Sequence, residues 1–494
     1  MAPSSTDNRP AEFLKLDRGK SKSNSIEIPS IALPKGGGAI KSIDEKFSIN
    51  AANGSASFSI PLPVSDARGF SPGLSMSYDS GHGNGIFGLG WSLSLPSIKR
   101  KTDKKLPEYK DEIDSDIFLL SGAEDLVPAF CKNADGSLVQ REGSYLIDEW
   151  DRDFLGTNYR IRAYHPRIES SFTRIERWIN LLTRETHWRT ISKTNVTTIF
   201  GKAANARIAD PADPGKIFQW MIEFSFDDKG HCCYYQYKKE NDQGLNRMLT
   251  HNKNRRTTEI LYTNLYLKRV LYGNRVPYTD RDVDFPLDPG DYFFETAFDY
   301  GDHDPEHPPY APFPDWSFRD DAFSDYRAGF EIRTTRICYR VLLYHRFVEL
   351  PGGSALVRSV DFEYGNNGSE GFLFLTGVTS TGYIKKADRS YSKKSFPPVN
   401  FQYQVHEWNE EIKTLESESA IHAPAGIHKP LYQFVDLFSE GLQGILTEQG
   451  NGWFYKYNLG NGKFTDAKLI SPKPSFWVSD FPRSSLCFKS AASK

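Results

Sequence analysis

Two histidines four residues apart, His303 and His307, bracket Asp304, Pro305 and Glu306. On a helix, imidazoles at this spacing could share a zinc ion. Pro305, Pro308 and Pro309 argue against a helix, so the pair is not expected to bind metal. The adjacent thiols Cys232 and Cys233 lie in HCCYYQYKKE, which reads as a strand. Neighbours on a strand point to opposite faces and cannot easily chelate one ion together. The five cysteines (Cys131, Cys232, Cys233, Cys338 and Cys487) are odd in number and irregular in spacing, so reduced, partly buried thiols are expected. The run Gly81-His82-Gly83-Asn84-Gly85 supplies positive-φ positions that could cradle an anion. A phosphate loop would open a helix and carry Lys-Ser or Lys-Thr, whereas here a further strand follows. The carboxylate pairs Asp227-Asp228 and Asp320-Asp321 would diverge on a strand and form turns in a loop. HExxH and CxxC…CxxC spacings do not occur, and no nucleophile elbow on a strand-to-helix turn is expected. The expectation is therefore no catalytic residue, no metal site and no cofactor.

Strands would have to position any such side chains. The chain has 494 residues with 25 Tyr and 34 Phe against only 4 Met, a composition that suits pleated, half-buried surfaces. The 38 Gly and 29 Pro fit many turns and few long helices. Alternating segments at 55–60 and 74–78, and strand-like segments at 118–120, 159–164, 186–188, 197–200, 222–226, 266–274, 331–343, 356–364 and 372–384, support a mainly β fold with a large antiparallel sheet. Residues 276–330 are rich in Pro, Asp and aromatics and are expected to form a long ordered loop or surface insertion. Composition shifts between 396 and 430, as at a domain boundary. Residues 431–474 then read as strand, turn, strand, turn, strand, turn, strand, about one blade of a β-propeller.

With 61 basic and 63 acidic residues, nothing points to nucleic acid as a partner. The basic runs at 99–101 with 104–105, and at 253–256, are expected in solvated loops. No apolar run is long enough for a transmembrane helix. The N-terminus lacks the apolar region of a Sec signal peptide, so the protein is expected to be cytoplasmic or extracellular after non-Sec release. The sequons at Asn53, Asn195 and Asn367 are discounted on the same ground.

Residues 43–95, 266–274, 321–345 and 432–474, in that order, resemble the SpvB-type domain and following FG-GAP/VCBS-like repeats of B components of bacterial Tc (toxin complex) insecticidal toxins. The resemblance implies a polar leader at 1–35, an SpvB-type β domain at 36–395, a linker at 396–430, a partial β-propeller at 431–480 and a tail at 481–494. It implies a non-enzymatic structural role. Such a component forms, with a C component and its Rhs-type shell, a closed shell around a toxic cargo, and docks on a pore-forming A component. B components are much longer, so a truncated or fragmentary member is expected. In such repeats Asp436, Glu440 and Gly441 stand where a calcium loop often lies, but Phe438 takes a ligand position, so no calcium is expected.

SpvB-type proteins also imply an alternative, a virulence factor associated with mono-ADP-ribosyltransferase activity. Such transferases use an Arg, a Ser-Thr-Ser strand and a Glu-x-Glu turn. Here Glu416-Ser417-Glu418 follows Thr379-Ser380-Thr381, which is not Ser-Thr-Ser, and it falls in the expected linker. A cell-surface or carbohydrate-binding β-protein is the third class.

Overall fold

The computed structural model describes residues 46–49 and 56–472, apart from 123, 169–171, 250–251, 253–261, 280–284, 304–315, 367–370, 405–411, 413, 416, 424–431, 439–440 and 450–451. The chain divides into two compact units, Met1–Val405 and His406–Lys494.

Among the described residues, the first unit is built on one sheet of eighteen strands. Part of that sheet closes on itself. Ser97–Arg100 pairs with Phe118–Leu120, and the pairing continues through Glu124–Pro128, Thr157–Pro166, Arg174–Asn180, Thr186–Ile191 and Thr197–Phe200 to Ile217–Phe226. Ile217–Phe226 then pairs back onto Ser97–Arg100. Every step is antiparallel, and closure leaves these strands no open edge at the seam. A ring of this size has room for side chains but no channel. Its interior is aromatic: Trp188 lies 4.9 Å from both Phe118 and Tyr164 and 6.0 Å from Trp220, ring centre to ring centre. Such tilted or edge-on pairs each add about 0.5–1.5 kcal/mol beyond burial of their area.

The ten-residue strand Ile217–Phe226 belongs to two arrays. Its last residues also pair with Cys232–Lys239, which starts an open arm through Leu265–Asn274, Tyr292–Asp299, Arg340–His345, Ala355–Gly365 and Phe374–Lys385. Register shifts at Gln236/Tyr237, Leu343/Tyr344 and Glu363/Tyr364 bend the arm. Cys232 and Cys233 fall in separate buried clusters, as strand alternation requires. A smaller antiparallel sheet, Lys46–Ile49, Ala56–Pro61, Ser75–Asp79 and Trp91–Leu93, contributes Ile60, Met76 and Trp91 to the main core. Its Gly-rich turn is held tightly. Gly88 has φ +86°, and a Cβ there would sit 2.7 Å from the Leu373 carbonyl oxygen.

Three expectations are corrected. The segment 276–330 is not a loop throughout: Tyr292–Asp299 is an inner strand paired on both edges. Residues 295–299 are all buried, so the strand shows no polar-out alternation to read. The basic run at 99–101 is not a solvated loop, since Arg100 points into the closed ring and is only 1% exposed. Glu331 to Leu343 is not one strand but two, Ile332–Thr334 and Arg340–His345. Val399–Asn400, within the segment read as a linker, pairs with Phe374–Lys385.

The second unit contains a four-stranded antiparallel sheet, Tyr432–Val435, Gly444–Gln449, Gly452–Lys456 and Lys468–Pro472. Tyr455 anchors it, donating to the Val435 carbonyl at 2.9 Å. Among the described residues the one α-helix is Ser417–Ala420.

Candidate functional site

Many buried charged side chains of the first unit gather into ion networks, and four of these tie the sheet to its connections. The first caps the closed ring. Arg100 reaches the Ile217 carbonyl through Nε at 2.8 Å, Asp111 through both Nη atoms at 2.7 and 2.9 Å, and Asp116 at 2.8 Å. Arg177 meets Asp111 at 2.5 Å. The two guanidiniums lie 5.1 and 5.0 Å from the Phe118 ring centre, so the cations rest on the aromatic core they cover. Asp116 also accepts from the Glu108 and Tyr109 amides, which fastens the 108–116 segment over the ring. Burial alone would raise the Asp111 carboxyl, but Arg100 and Arg177 overcome it and hold the group down at about 2.

The second network centres on Glu240, which like Arg336 is wholly buried. One carboxylate oxygen accepts from Arg336 Nε at 3.0 Å and the Asn241 amide at 3.0 Å. The other accepts from the Tyr266 hydroxyl at 2.5 Å, the Thr335 hydroxyl at 2.5 Å and the Thr335 amide at 3.1 Å. Burial first, and then the Glu240 charge, pushes the Tyr266 phenol well above its usual range, so it remains a donor. In the third, Asp302 takes Lys268 at 2.7 Å and Lys238 at 3.1 Å. Burial lowers Lys268 although Asp302 opposes it. In the fourth, Arg319 grips Asp321 with two parallel bonds at 2.6 and 2.8 Å and also donates to the Gly85 carbonyl and Asn84 Oδ1. Asp321 accepts in turn from Asn84 Nδ2 and the Leu373 amide.

Each carboxylate in these networks is already paired with a guanidinium or ammonium. None is left as a general base. Their directional bonds instead tie segments far apart in the chain to the sheet: 319 to 84–85, 336 to 240, 100 to 111.

The residues singled out in the sequence do not assemble. His303 is buried, with Nε2 3.2 Å from Lys268 Nζ, while His307 lies outside the described residues. Asp436 accepts from the Gly441 amide at 2.8 Å, closing a turn, and Phe438 stacks on Tyr457 at 5.1 Å; Glu440 lies outside the described residues. Glu418 is exposed on its short helix, and Glu416 lies outside the described residues. Ser380 accepts from Arg358 Nε at 3.1 Å, and Thr381 pairs with Ser395 at 2.9 Å, both as sheet side chains. Asp227 forms a turn, accepting from the Lys229 and His231 amides. Asp321, the other acid read as a turn former, is an ion-pair partner. The basic run at 253–256 and Cys487 lie outside the described residues. Among the described residues no three His, Cys, Asp or Glu groups gather as metal ligands. The ion pairs of Glu240, Arg336, Asp302 and Arg100 escaped the sequence reading because the charged partners are 11 to 96 residues away.

A closed β ring fused to a long curved sheet, braced by buried ion pairs, defines a mainly β shell domain. The comparisons give it a family. Residues 50–347 match the family described as Salmonella virulence plasmid 65kDa B protein, SpvB, and the chain belongs to it. Mono(ADP-ribosyl)transferase SpvB of Salmonella typhimurium is 36% identical over 340 residues, covering 68% of this chain and 54% of that protein. The Salmonella dublin protein of that name matches to the same extent. The chain thus spans about half the length of the curated relatives it matches. The crystal structure of TcdB2-TccC3 superposes with a TM-score of 0.73 and 29% identity over 92% of this chain and 21% of that one. A Photorhabdus luminescens Tc holotoxin pore gives 0.71 and 30% over the same shares. The N-terminal domain of effector protein SpvB from Salmonella typhimurium strain LT2 gives 0.55 and 33% over 66% of this chain and 98% of that domain. The part shared with SpvB therefore includes its N-terminal domain.

Proposed function

We propose that this chain is a non-enzymatic structural component of a Tc-like toxin complex, contributing to the shell that encloses a toxic cargo and to docking on a pore-forming A component. The likeness to TcdB2-TccC3 across 92% of the chain carries this reading. The physical site supports it: the buried charges are spent on holding the sheet, as a wall requires. The partners are an A component and a C component with its Rhs-type shell. The four-stranded sheet of the second unit is read as one propeller blade, and the setting as extracellular after non-Sec release, or cytoplasmic. Because the chain matches about a fifth of the Tc structure, the test is a chimera. Replacing the corresponding part of a Tc B component with this chain is expected to give a closed complex with the C component that shields its cargo from protease. A folded chimera that leaves the cargo digestible overturns the reading.

The name shared by the curated relatives favours a second reading, in which this chain is the N-terminal module of a longer ADP-ribosylating effector. NAD hydrolysis by the chain itself, lost in Glu418→Gln, would instead place the activity here.

A further inference from the structure

Outside the ion networks, one pair of side chains has the geometry of a nucleophile and its base. Ser65 lies between the strands Ala56–Pro61 and Ser75–Asp79, and His345 ends the strand Arg340–His345. The Ser65 Oγ is 2.7 Å from His345 Nε2, across 280 positions of chain. The serine is held at several points. Its amide donates to the Tyr272 hydroxyl at 2.8 Å, and its carbonyl accepts from Ser71 Oγ at 3.2 Å. The Pro63 carbonyl two residues earlier accepts from Thr296 Oγ1 at 3.1 Å. The imidazole is fixed by edge packing, 5.0 Å from the Phe294 ring and 5.9 Å from the Phe347 ring. Burial lowers its pKa below the ordinary histidine value, which leaves the ring neutral at pH 7. A neutral ring can accept a hydroxyl proton at Nε2. Both residues are half-buried and so remain in reach of a small molecule. Tyr272 touches the serine backbone; Asp66 and Arg68 follow the serine in the chain, and Arg346, paired with buried Glu295, follows the histidine.

We propose that Ser65 is a reactive hydroxyl, with His345 as its general base, that accepts an acyl or phosphonyl group from a small activated electrophile. The Oγ forms a bond to the carbonyl carbon as its proton passes to Nε2. The adduct then collapses with cleavage of the bond to the leaving alcohol, which takes the proton back from His345. With a fluorophosphonate the new bond is oxygen to phosphorus, and fluoride leaves. Among the described residues no carboxylate orients the far side of the imidazole; the two phenyl rings do so instead. The expected outcome is one modification per chain rather than rapid turnover.

The probe is a fluorophosphonate, with the modified peptide identified by mass spectrometry on the purified full chain. An adduct is expected on Ser65, absent in Ser65→Ala and formed about 100-fold or more slowly in His345→Gln, the usual contribution of a general base. In the native protein the rate should rise with pH and reach its plateau below the ordinary histidine value, because burial keeps the imidazole neutral to lower pH. A purely mechanical clasp would lower the melting temperature of Ser65→Ala and give no adduct. The absence of a Ser65 adduct in the native chain overturns the proposal. So does an equal rate in a folded His345→Gln variant. Should that variant fail to fold, a native labelling rate that stays flat from pH 8 down to the onset of acid unfolding also overturns it.

Discussion

Glu240→Gln should be among the most damaging single-atom-scale changes available to the first unit. The substitution keeps the shape of the side chain and removes its charge. Arg336 is then left in a site where neither partner has any exposure, with no counterion. The new amide nitrogen must also face a donor, since Arg336, Asn241, Tyr266 and Thr335 all give hydrogens to this carboxylate. Removing one partner of a buried pair costs about 3–5 kcal/mol. Arg336→Met alone strands the opposite charge and removes donors from the Trp316 carbonyl and Asn241, at roughly 1 kcal/mol each. The double variant buries no unpaired charge. Its loss should therefore fall short of the summed single losses by about 2 kcal/mol or more. Urea unfolding followed by tryptophan fluorescence provides the three numbers, provided the slopes agree. Additive losses, or a Glu240→Gln loss under about 1 kcal/mol, would show that the pair does not act as a coupled buried unit.

Two further outcomes follow from the geometry. Asp111 is held at about 2 against an ordinary 3.8, so its contribution is fully present above about pH 4 and is lost as pH falls through 2. Asp111→Asn should lose about 2 kcal/mol at pH 6, from 1.36 kcal/mol for each tenfold change in acidity, and the gap to the native protein should close towards pH 2; a gap unchanged over that range refutes the assignment. Gly88→Ala should destabilise by about 1–3 kcal/mol, because its backbone is left-handed and the added methyl meets the Leu373 carbonyl at 2.7 Å. An unchanged melting temperature would mean that the turn relaxes without cost.

Much of the sheet was legible because most of its strands announce themselves. Leu265–Asn274 and Ala355–Gly365 carry apolar and aromatic residues over most of their length, with Gly at or beside the last position. Tyr292–Asp299 was hidden for two reasons: the flanking Pro and Asp residues signal a loop, and burial of its second half on both faces erases alternation. Closure of the ring was illegible for a different reason. Ser97–Arg100 and Ile217–Phe226 lie far apart in sequence, and nothing local in four residues specifies a partner at Gln219–Met221. The same holds for the networks. Arg100 read as part of a basic run, since a sequence shows its like-charged neighbours but not the Asp111 and Asp116 that fold over it.

These charges are where they are because of what the barrel and arm must do with their connections. An aromatic interior is non-directional, so Trp188 and Phe118 would tolerate several ways of laying the 108–116 segment over the ring. Arg100 does not. With Nε committed to the Ile217 carbonyl and its Nη atoms to two carboxylates, one placement of the segment satisfies all of its donors. Arg319 does the same for the Gly-rich turn, and Arg336 for residues 240–241. The stability gained from a buried pair over an apolar substitute is small or negative. What the pairs supply is one geometry for each long connection, so misplacing a segment strands a charge. In the proposed role, a wall that meets further shell elements along a fixed contour would need that uniqueness more than a few additional kcal/mol.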